Sequence, residues 1–305
     1  MSQLATSSAL VSISAISSSD SSSAFLKSYW AIFFCSSAYA TRQEFDITAP
    51  DIATARPWRQ YDAIINCAAY NDVNGAEIDR QSAWAANATA PARLAKIAAE
   101  NNLTLVHVSS DYIFDGTREI HTEEEIPSPL STYGASKAAG DTAAQTAPRH
   151  YVIRTSWVFG DGNNFMSTMA SLAKRNIEPV VINDQKGRPT YAEDLAKGIK
   201  HLLETQAEYG VYNLSSAGDA VGRDEIAMAV FIGVGHDPAE VHSATTAQYN
   251  THRAQQAAKK GQPVPEAEAL RPAESTFDLS KMEATGFKPS NWRASLALYL
   301  ALLES

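Results

Sequence analysis

The stretch "NNLTLVHVSSDYIFDG", residues 101–116, decides the fold. Its short apolar run predicts a buried strand, and the run ends in the polar residues Ser109, Ser110 and Asp111. Residues 61–69 (YDAIINCAA), 149–157 (RHYVIRTSW) and 210–216 (GVYNLSS) follow the same pattern. Such continuously apolar strands are typical of a parallel sheet that is buried on both faces.

Helical patterns alternate with these strands. Residues 76–100 form an Ala-rich stretch whose weak point is Pro91, and residues 133–145 predict the next helix. The alternation predicts a Rossmann-like, doubly wound α/β sheet. Ligands bind such sheets at the carboxyl ends of the strands, so residues 68–71, 109–112 and 155–157 should face one crevice. Further helices are predicted over residues 163–175, 191–204, 223–235 and 293–304.

Composition narrows the possible partners and compartments. The chain has 305 residues, a net charge of −9 and no long basic run, which argues against nucleic acid and anionic membranes as partners. Its two cysteines, Cys35 and Cys67, show no metal-ligand or disulfide spacing, which favours the cytoplasm. Residues 26–40 imitate a signal peptide, but no apolar run reaches the roughly 20 residues of a membrane helix. Residues 245–272 are polar, and we interpret them as a mobile loop or lid.

Tyr133 and Lys137 are the candidate proton-handling pair. Residues four apart share one face of a helix, where an ammonium group can lower the pKa of a phenol. A phenol of that kind can protonate a carbonyl as hydride arrives, although the same pair also fits an ordinary solvated helix start. Ser109 or Ser110 could share the carbonyl oxygen with Tyr133, or could simply cap the turn that follows the strand.

Several segments together carry a family resemblance. They are NCAAYNDVNGAE, SSDYIFDG, YGASK, IRTSWVFGDGNNF, INDQKGRPTYAEDLA and RPAESTFDLSKMEATGF. In this order they resemble the dTDP-4-dehydrorhamnose reductases, which are extended short-chain dehydrogenase/reductases. The resemblance runs from about residue 45 to the end. It implies NADPH-dependent reduction of dTDP-4-dehydro-6-deoxy-L-mannose at C4, giving dTDP-L-rhamnose.

The resemblance also implies residue roles. Ser110 would polarise the ketone, Tyr133 would donate the proton, and Lys137 would tune Tyr133 and hold the nicotinamide ribose. Asp111 and Trp157 would contact the dTDP-sugar, although Trp157 could also be a core residue at a strand end. The positions expected to line NADPH, or alternatively NADH, are Asp46, Ile47, Ala68, Ala69, Tyr70, Asn71, Tyr133 and Lys137.

The resemblance divides the chain and leaves a metal site in doubt. It implies a dinucleotide-binding domain over residues 45–160 and a mainly substrate-binding lobe over 161–305, with some elements returning to the sheet. Glu193 matches a glutamate that some members use for Mg²⁺ at a homodimer interface. One carboxylate is weak support for a cation that takes about six oxygens, so we assign no metal-ligating residue and interpret Glu193 as a surface residue. Mg²⁺ as a cofactor and a homodimer stay open as alternatives that the resemblance implies.

The first 44 residues depart from the family pattern. They are rich in serine and contain no glycine, whereas the family begins with a strand and a glycine-rich turn for the cofactor pyrophosphate. We interpret residues 1–44 as a segment read in a different frame, the alternative being a divergent terminus. On either interpretation, the first βαβ unit is expected to be absent or altered.

Two other functions stay open from the sequence. One is a related sugar-nucleotide epimerase, dehydratase or reductase. The other is a non-catalytic cofactor-binding or regulatory homologue, which the missing glycine-rich turn favours.

Overall fold

A computed structural model describes residues 10–13, 37–41, 43–261 and 268–303. The strands are β1 (Leu10–Ile13), β2 (Ser37–Ala40), β3 (Ala63–Asn66), β4 (Thr104–Val108), β5 (His150–Arg154), β6 (Val158–Phe159), β7 (Val180–Ile182), β8 (Lys186–Gly187), β9 (Thr190–Tyr191), β10 (Gly210–Asn213), β11 (Val221–Gly222), β12 (His242–Ala244) and β13 (Glu274–Ser275). The α-helices are α1 (Gly75–Ile78), α2 (Arg80–Trp84), α3 (Ala90–Asn101), α4 (Thr132–Ala144), α5 (Phe165–Lys174), α6 (Ala192–Thr205), α7 (Arg223–Gly233), α8 (Thr246–Lys259), α9 (Ser280–Ala284) and α10 (Trp292–Leu303).

The main sheet is parallel, as predicted. Its described strands lie in the order β10-β5-β4-β3-β1-β2, and every pairing between them is parallel. All four residues of β3 are buried, which explains the continuous apolar run in the sequence. From β1 the chain first adds β2 on one side and then crosses over to add β3 and the later strands on the other side. Open α/β sheets bind ligands at such a switch point, so the crevice is expected at the carboxyl ends of β1, β3 and their neighbours.

The Ser-rich segment contributes two strands to this sheet. In register, β1 pairs with β3 on one side and with β2 on the other. The expectation that the first strands are absent is therefore wrong for residues 10–13 and 37–40. Parallel pairing is made by backbone groups, so a polar composition does not prevent it. Residues 14–36, where the glycine-rich turn of the family would fall, lie outside the described residues.

The single helix predicted over residues 76–100 is divided into several pieces. After α1, the Asp79 side chain accepts a hydrogen bond from the Ser82 backbone N–H at 3.1 Å and starts α2. A π-helical turn, Ala85–Thr89, follows, and α3 then begins with Pro91 in its first turn. Proline is tolerated there because the first helical N–H groups have no partner within the helix.

The region predicted as a loop or lid is largely helical. Thr245 and Gln248 form a reciprocal capping box that starts α8, which then runs to Lys259. The loop interpretation of residues 245–272 is therefore wrong for residues 246–259. Gly261 follows the helix, whereas Pro263 and Pro265 lie outside the described residues.

Two hydrophobic clusters cover the sheet, one on each face. The larger cluster includes Trp292, Leu296 and Tyr299 of α10, and β10 pairs with β5 at one edge of the main sheet. Elements from the C-terminal part of the chain therefore pack against or pair with the main sheet. In the part of the chain that the structure describes, no helix is both long and apolar enough to cross a membrane.

Helix α4 packs unusually closely against the π-helical turn. A Cβ atom on Gly140 would lie 1.9 Å from the backbone oxygen of Asn87. Backbone cannot withdraw as a flexible side chain can, so Gly140→Ala should lower the free energy of unfolding by about 1–3 kcal/mol, measured by denaturant unfolding. The matched control is Gly233→Ala, where the added Cβ meets the movable end of the Leu300 side chain. Equal effects of the two substitutions would contradict this account of the helix contact.

Candidate active site

The start of α4 is fixed by three separate contacts. The Ser131 hydroxyl accepts a hydrogen bond from the Gly134 N–H at 3.1 Å and caps the helix. Glu77 accepts hydrogen bonds from both the N–H and the hydroxyl of Thr132, each at 2.7 Å. A Cβ on Gly134 would lie 2.2 Å from the Tyr112 carbonyl oxygen, so glycine allows the helix to approach the end of β4. Tyr133 is thereby placed beside the residues that follow β4.

A cavity of about 430 Å³ opens at the carboxyl ends of the strands. The strand ends that the sequence predicted to share a crevice therefore do so. Seven predicted site residues line this cavity, namely Ala69, Asn71, Ser110, Asp111, Tyr133, Lys137 and Trp157.

The two candidate serines have different partners. The Ser109 hydroxyl donates to a carboxylate oxygen of Asp141 at 3.2 Å. The Ser110 side chain forms a hydrogen bond with Tyr133 and also contacts Asp111, with 3.0 Å between the Ser110 hydroxyl and the Asp111 carboxylate. Both serines line the cavity, but Ser109 is bonded to Asp141, so Ser110 is the serine that pairs with Tyr133.

The pKa of Tyr133 departs from the sequence expectation. Burial is the largest effect and raises the pKa of the phenol above its ordinary value, while the Ser110 hydrogen bond opposes this shift. The expectation that Lys137 draws this pKa down toward neutrality is wrong for the protein alone. The phenol is consequently protonated at neutral pH, which is the form that can donate a proton.

Lys137 is almost completely buried, with 3% of its surface exposed. Its ammonium group donates to the Val108 carbonyl oxygen at 2.6 Å. Burial lowers the pKa of Lys137 to about 8, and the nearby charge of Asp141 opposes the shift. The neighbouring Cys67 thiol stays neutral, because burial raises its pKa to about 12.

Asp141 lies two turns along α4 from Tyr133, beneath the cavity. Its carboxylate pairs with the Arg154 guanidinium at 2.9 Å, and both side chains are buried. It also accepts hydrogen bonds from Ser109 and from Gln145. Because α4, β5 and the end of β4 all contribute to this cluster, it holds the helix that carries Tyr133 and Lys137 against the sheet.

Asp111 and Trp157 line the same cavity as Tyr133 and Lys137. Burial raises the pKa of the Asp111 carboxyl, whereas the nearby Ser275 and Ser110 hydroxyls and the charge of Arg223 lower it. Trp157 has a left-handed backbone conformation with φ of 45°. Its carbonyl oxygen accepts from the Thr190 N–H at 3.3 Å, so the DQKGRPT segment supports the loop that carries the indole.

Sequence reasoning missed two residues of this site. The Arg223 guanidinium lies 4.2 Å from the centre of the Trp157 ring and lines the cavity. Asn87 joins the Tyr70 backbone to the Ser136 hydroxyl, which in turn donates to the Tyr133 carbonyl oxygen. Arg223 is 66 positions from Trp157 in the sequence, and no motif marks it. Asn87 sits in a π-helical turn that helical periodicity does not indicate.

Comparison with known proteins decides the family. A family model described as "RmlD substrate binding domain" matches residues 34–305. The chain is 36% identical over 271 residues to the dTDP-4-dehydrorhamnose reductase of Mycobacterium tuberculosis, covering 86% of this chain and 83% of the relative. This chain belongs to the dTDP-4-dehydrorhamnose reductase family.

Solved structures of that family share the whole fold. The Bacillus anthracis member, crystallised with NADP, is 28% identical, with a TM-score of 0.81 and coverage of 98% of this chain and 100% of that one. The Clostridium acetobutylicum member is also 28% identical, with a TM-score of 0.83 and coverage of 97% and 100%. The predicted family and fold are therefore confirmed.

The residues predicted to bind the dinucleotide fall into two groups. Ala69 and Asn71 line the cavity beside Tyr133 and Lys137, where a nicotinamide end could fit against a small side chain and an ammonium group. Ile47 and Ala68 are buried in a hydrophobic cluster, so only their backbones remain for a ligand. Asp46 accepts hydrogen bonds from Thr48, and the Tyr70 backbone is bonded to Asn87. The roles of these four residues stay predictions.

Glu193 does not belong to a metal-ligand cluster in the described part of the chain. Its carboxylate pairs with Lys197 at 2.9 Å on the surface of α6. No group of three or more His, Cys, Asp or Glu side chains arranged to hold a metal ion occurs among the described residues.

The buried ion pair beneath the site should stabilise the fold strongly. Asp141→Asn leaves the Arg154 charge buried without its partner, so we expect the free energy of unfolding to fall by about 3–5 kcal/mol. Denaturant unfolding measures this change. The control is Glu100→Gln in the exposed Lys96–Glu100 pair, where the side chains are 75% and 57% exposed and an effect within about 0.5 kcal/mol is expected. A loss at Asp141 as small as that of the control would contradict the role given to the ion pair.

Lys137 predicts a pH dependence of stability. Its pKa is lowered from 10.5 to about 8 in the folded protein. Between these two pH values the unfolded chain binds more protons than the folded one, so stability should rise with pH across this window. The free energy of unfolding of the unchanged protein, relative to Lys137→Met, should increase over that range. The control is Lys96→Met at an exposed lysine, which should show the same dependence of unfolding free energy on pH as the unchanged protein. If Lys137→Met also showed that same dependence, the lowered pKa of Lys137 would be refuted.

Proposed function

We propose that this chain reduces the C4 ketone of dTDP-4-dehydro-6-deoxy-L-mannose to dTDP-L-rhamnose, with NADPH as the reductant. The observation that carries the proposal is the pairing of the Ser110 and Tyr133 hydroxyls at the cavity that Lys137 also lines. Family membership supports the substrate class, because the curated relatives carry the name of this reductase.

The hydroxyl pair fits the reduction of a ketone. When bound, NADPH supplies hydride to the carbonyl carbon. The Ser110 hydroxyl donates to the ketone oxygen and polarises it, and the protonated Tyr133 phenol delivers its proton to the developing alkoxide. The charge of Lys137 stabilises the phenolate that remains, and its ammonium can also donate to ribose hydroxyls.

The division of labour follows the two halves of the chain. We propose that residues 45–160 mainly bind the dinucleotide, because they provide the strand ends and the catalytic helix. Residues 161–305 mainly bind the sugar nucleotide and provide the cavity wall with Asn164, Phe165, Met166 and Arg223. We place the activity in the cytoplasm, where NADPH and sugar nucleotides are available.

Two measurements test the proposal directly. The full chain should quench the fluorescence of NADPH on binding, and the quenching should saturate as protein is added. Oxidation of NADPH should then require the dTDP-linked 4-keto sugar and should not occur with UDP-sugars. Saturable NADPH binding without turnover of any keto sugar would favour a non-catalytic cofactor-binding homologue.

Tyr133→Phe should lower kcat by about 10²–10⁴-fold, because it removes the proton donor while keeping the ring. NADPH oxidation at saturating keto sugar measures the effect, and NADPH binding should change little. The control is Tyr61→Phe, a half-buried tyrosine that does not line the cavity. Undiminished turnover by Tyr133→Phe would refute the assigned mechanism.

A further inference from the structure

We infer that Arg223 is the residue that binds the diphosphate of the sugar nucleotide and so fixes the position of the keto sugar. The inference rests on the proposed function, since it names the group that holds the same substrate. It concerns a residue that opens α7 in the C-terminal half, far in sequence from the serine, tyrosine and lysine of the catalytic group.

The guanidinium of Arg223 is held by neutral groups on three sides. Its Nε donates to the Gln185 side-chain oxygen at 3.2 Å, and one Nη donates to the Tyr112 hydroxyl at 3.3 Å. Its carbon lies 4.2 Å from the centre of the Trp157 ring. Stacking and hydrogen bonding fix the plane of the guanidinium without neutralising its charge.

Among the charged side chains around the cavity, Arg223 is the cation that can bind a diphosphate. Lys137 and Arg223 are the cationic side chains among the described cavity-lining residues. The Lys137 ammonium is bonded to the Val108 carbonyl oxygen and stands on the Tyr133 face of α4. A diphosphate carries two negative charges, and removing it from water requires a charged donor. The planar guanidinium matches phosphate oxygens through two parallel hydrogen bonds.

Two aspartates also line the cavity and must be considered. One carboxylate oxygen of Asp111 accepts from the Ser110 hydroxyl at 3.0 Å, and Asp161 lies beyond β6. The other Asp111 oxygen is buried and has no hydrogen-bond partner among the described residues, and the charge of Arg223 lowers the pKa of that carboxyl. This Asp111 oxygen can accept a sugar hydroxyl, which leaves the guanidinium for the anion.

Arg223 is also connected to the reacting centre through Tyr112. The Tyr112 hydroxyl accepts from Arg223, and its ring packs edge-on against Tyr133 with 5.7 Å between the ring centroids. One side chain therefore joins the guanidinium to the Tyr133 ring. In a nucleotide-linked hexose the diphosphate on C1 and the ketone at C4 lie across one sugar ring. An anion held by Arg223 would therefore direct C4 toward Ser110 and Tyr133.

Ligand binding by the full-length chain tests the inference. The affinities of dTDP, dTMP and thymidine are measured by calorimetry for the unchanged protein and for Arg223→Gln. Loss of a charge-assisted contact should weaken dTDP binding by about 10- to 100-fold and leave thymidine binding unchanged. The matched control is Arg293→Gln, because Arg293 also lies over a tryptophan ring, Trp292 at 4.3 Å, but is exposed on α10. This control should bind all three ligands as the unchanged protein does.

Turnover gives a second readout. A contact made equally in the bound substrate and in the transition state affects KM rather than kcat. Arg223→Gln should therefore raise KM for the keto sugar by about 10- to 100-fold while kcat changes only a few-fold. A purely structural role would instead lower thermal stability and weaken thymidine and dTDP binding alike.

Each outcome decides the inference. Unchanged dTDP affinity in Arg223→Gln, equal losses for dTDP and thymidine, or no dTDP binding by the unchanged protein would overturn it. If Arg223→Gln does not fold, Arg223→Lys decides: binding of dTDP about tenfold weaker supports the guanidinium contact, and unaltered binding overturns it. If the unchanged protein binds dTDP through Arg223 but turns over no keto sugar, the proposed reaction fails and the diphosphate site stands.

Discussion

The buried ion pair between Asp141 and Arg154 is the interaction on which the site depends. It joins the helix that carries Tyr133 and Lys137 to β5, and through Ser109 it also joins that helix to the end of β4. Catalytic groups on separate elements keep a common geometry only if those elements are fixed to each other. The Asp141 carboxylate fixes the orientation of these elements as well as holding them together, because a carboxylate that accepts several hydrogen bonds can occupy few alternative positions.

The cavity combines two halves of the chain that differ in character. The first half provides strand ends and a helix that are almost entirely buried, so Ser110, Tyr133 and Lys137 are held rigidly. The second half provides Arg223, whose guanidinium lies against Trp157 of the first half, and the DQKGRPT segment supports both residues through Gln185 and Thr190. In this chain the DQKGRPT segment therefore holds the cavity wall that Trp157 forms.

Much of this arrangement could be predicted from the sequence because it follows from local rules. Apolar runs that end in polar residues indicated the strand ends, and a spacing of four placed Tyr133 and Lys137 on one helix face. Arg223 could not be predicted, since its position depends on the packing of α7 against the loop after β5. The raised pKa of Tyr133 was missed for a similar reason: burial outweighs the opposing hydrogen bond from Ser110, and burial is a property of the assembled site. The two strands of the Ser-rich segment were missed because their backbone groups make the pairing, whereas the prediction relied on the pattern of apolar side chains.

The left-handed backbone at Trp157 sets the cost of changing this position. A large L-residue with φ of 45° costs about 1–2 kcal/mol relative to glycine in the same conformation. The indole, however, packs against the larger hydrophobic cluster, and truncating a packed tryptophan costs about 3–5 kcal/mol. Glycine at this position would therefore relieve the backbone strain and still destabilise the protein, so the strained turn is stabilised by the same ring that it presents to the cavity.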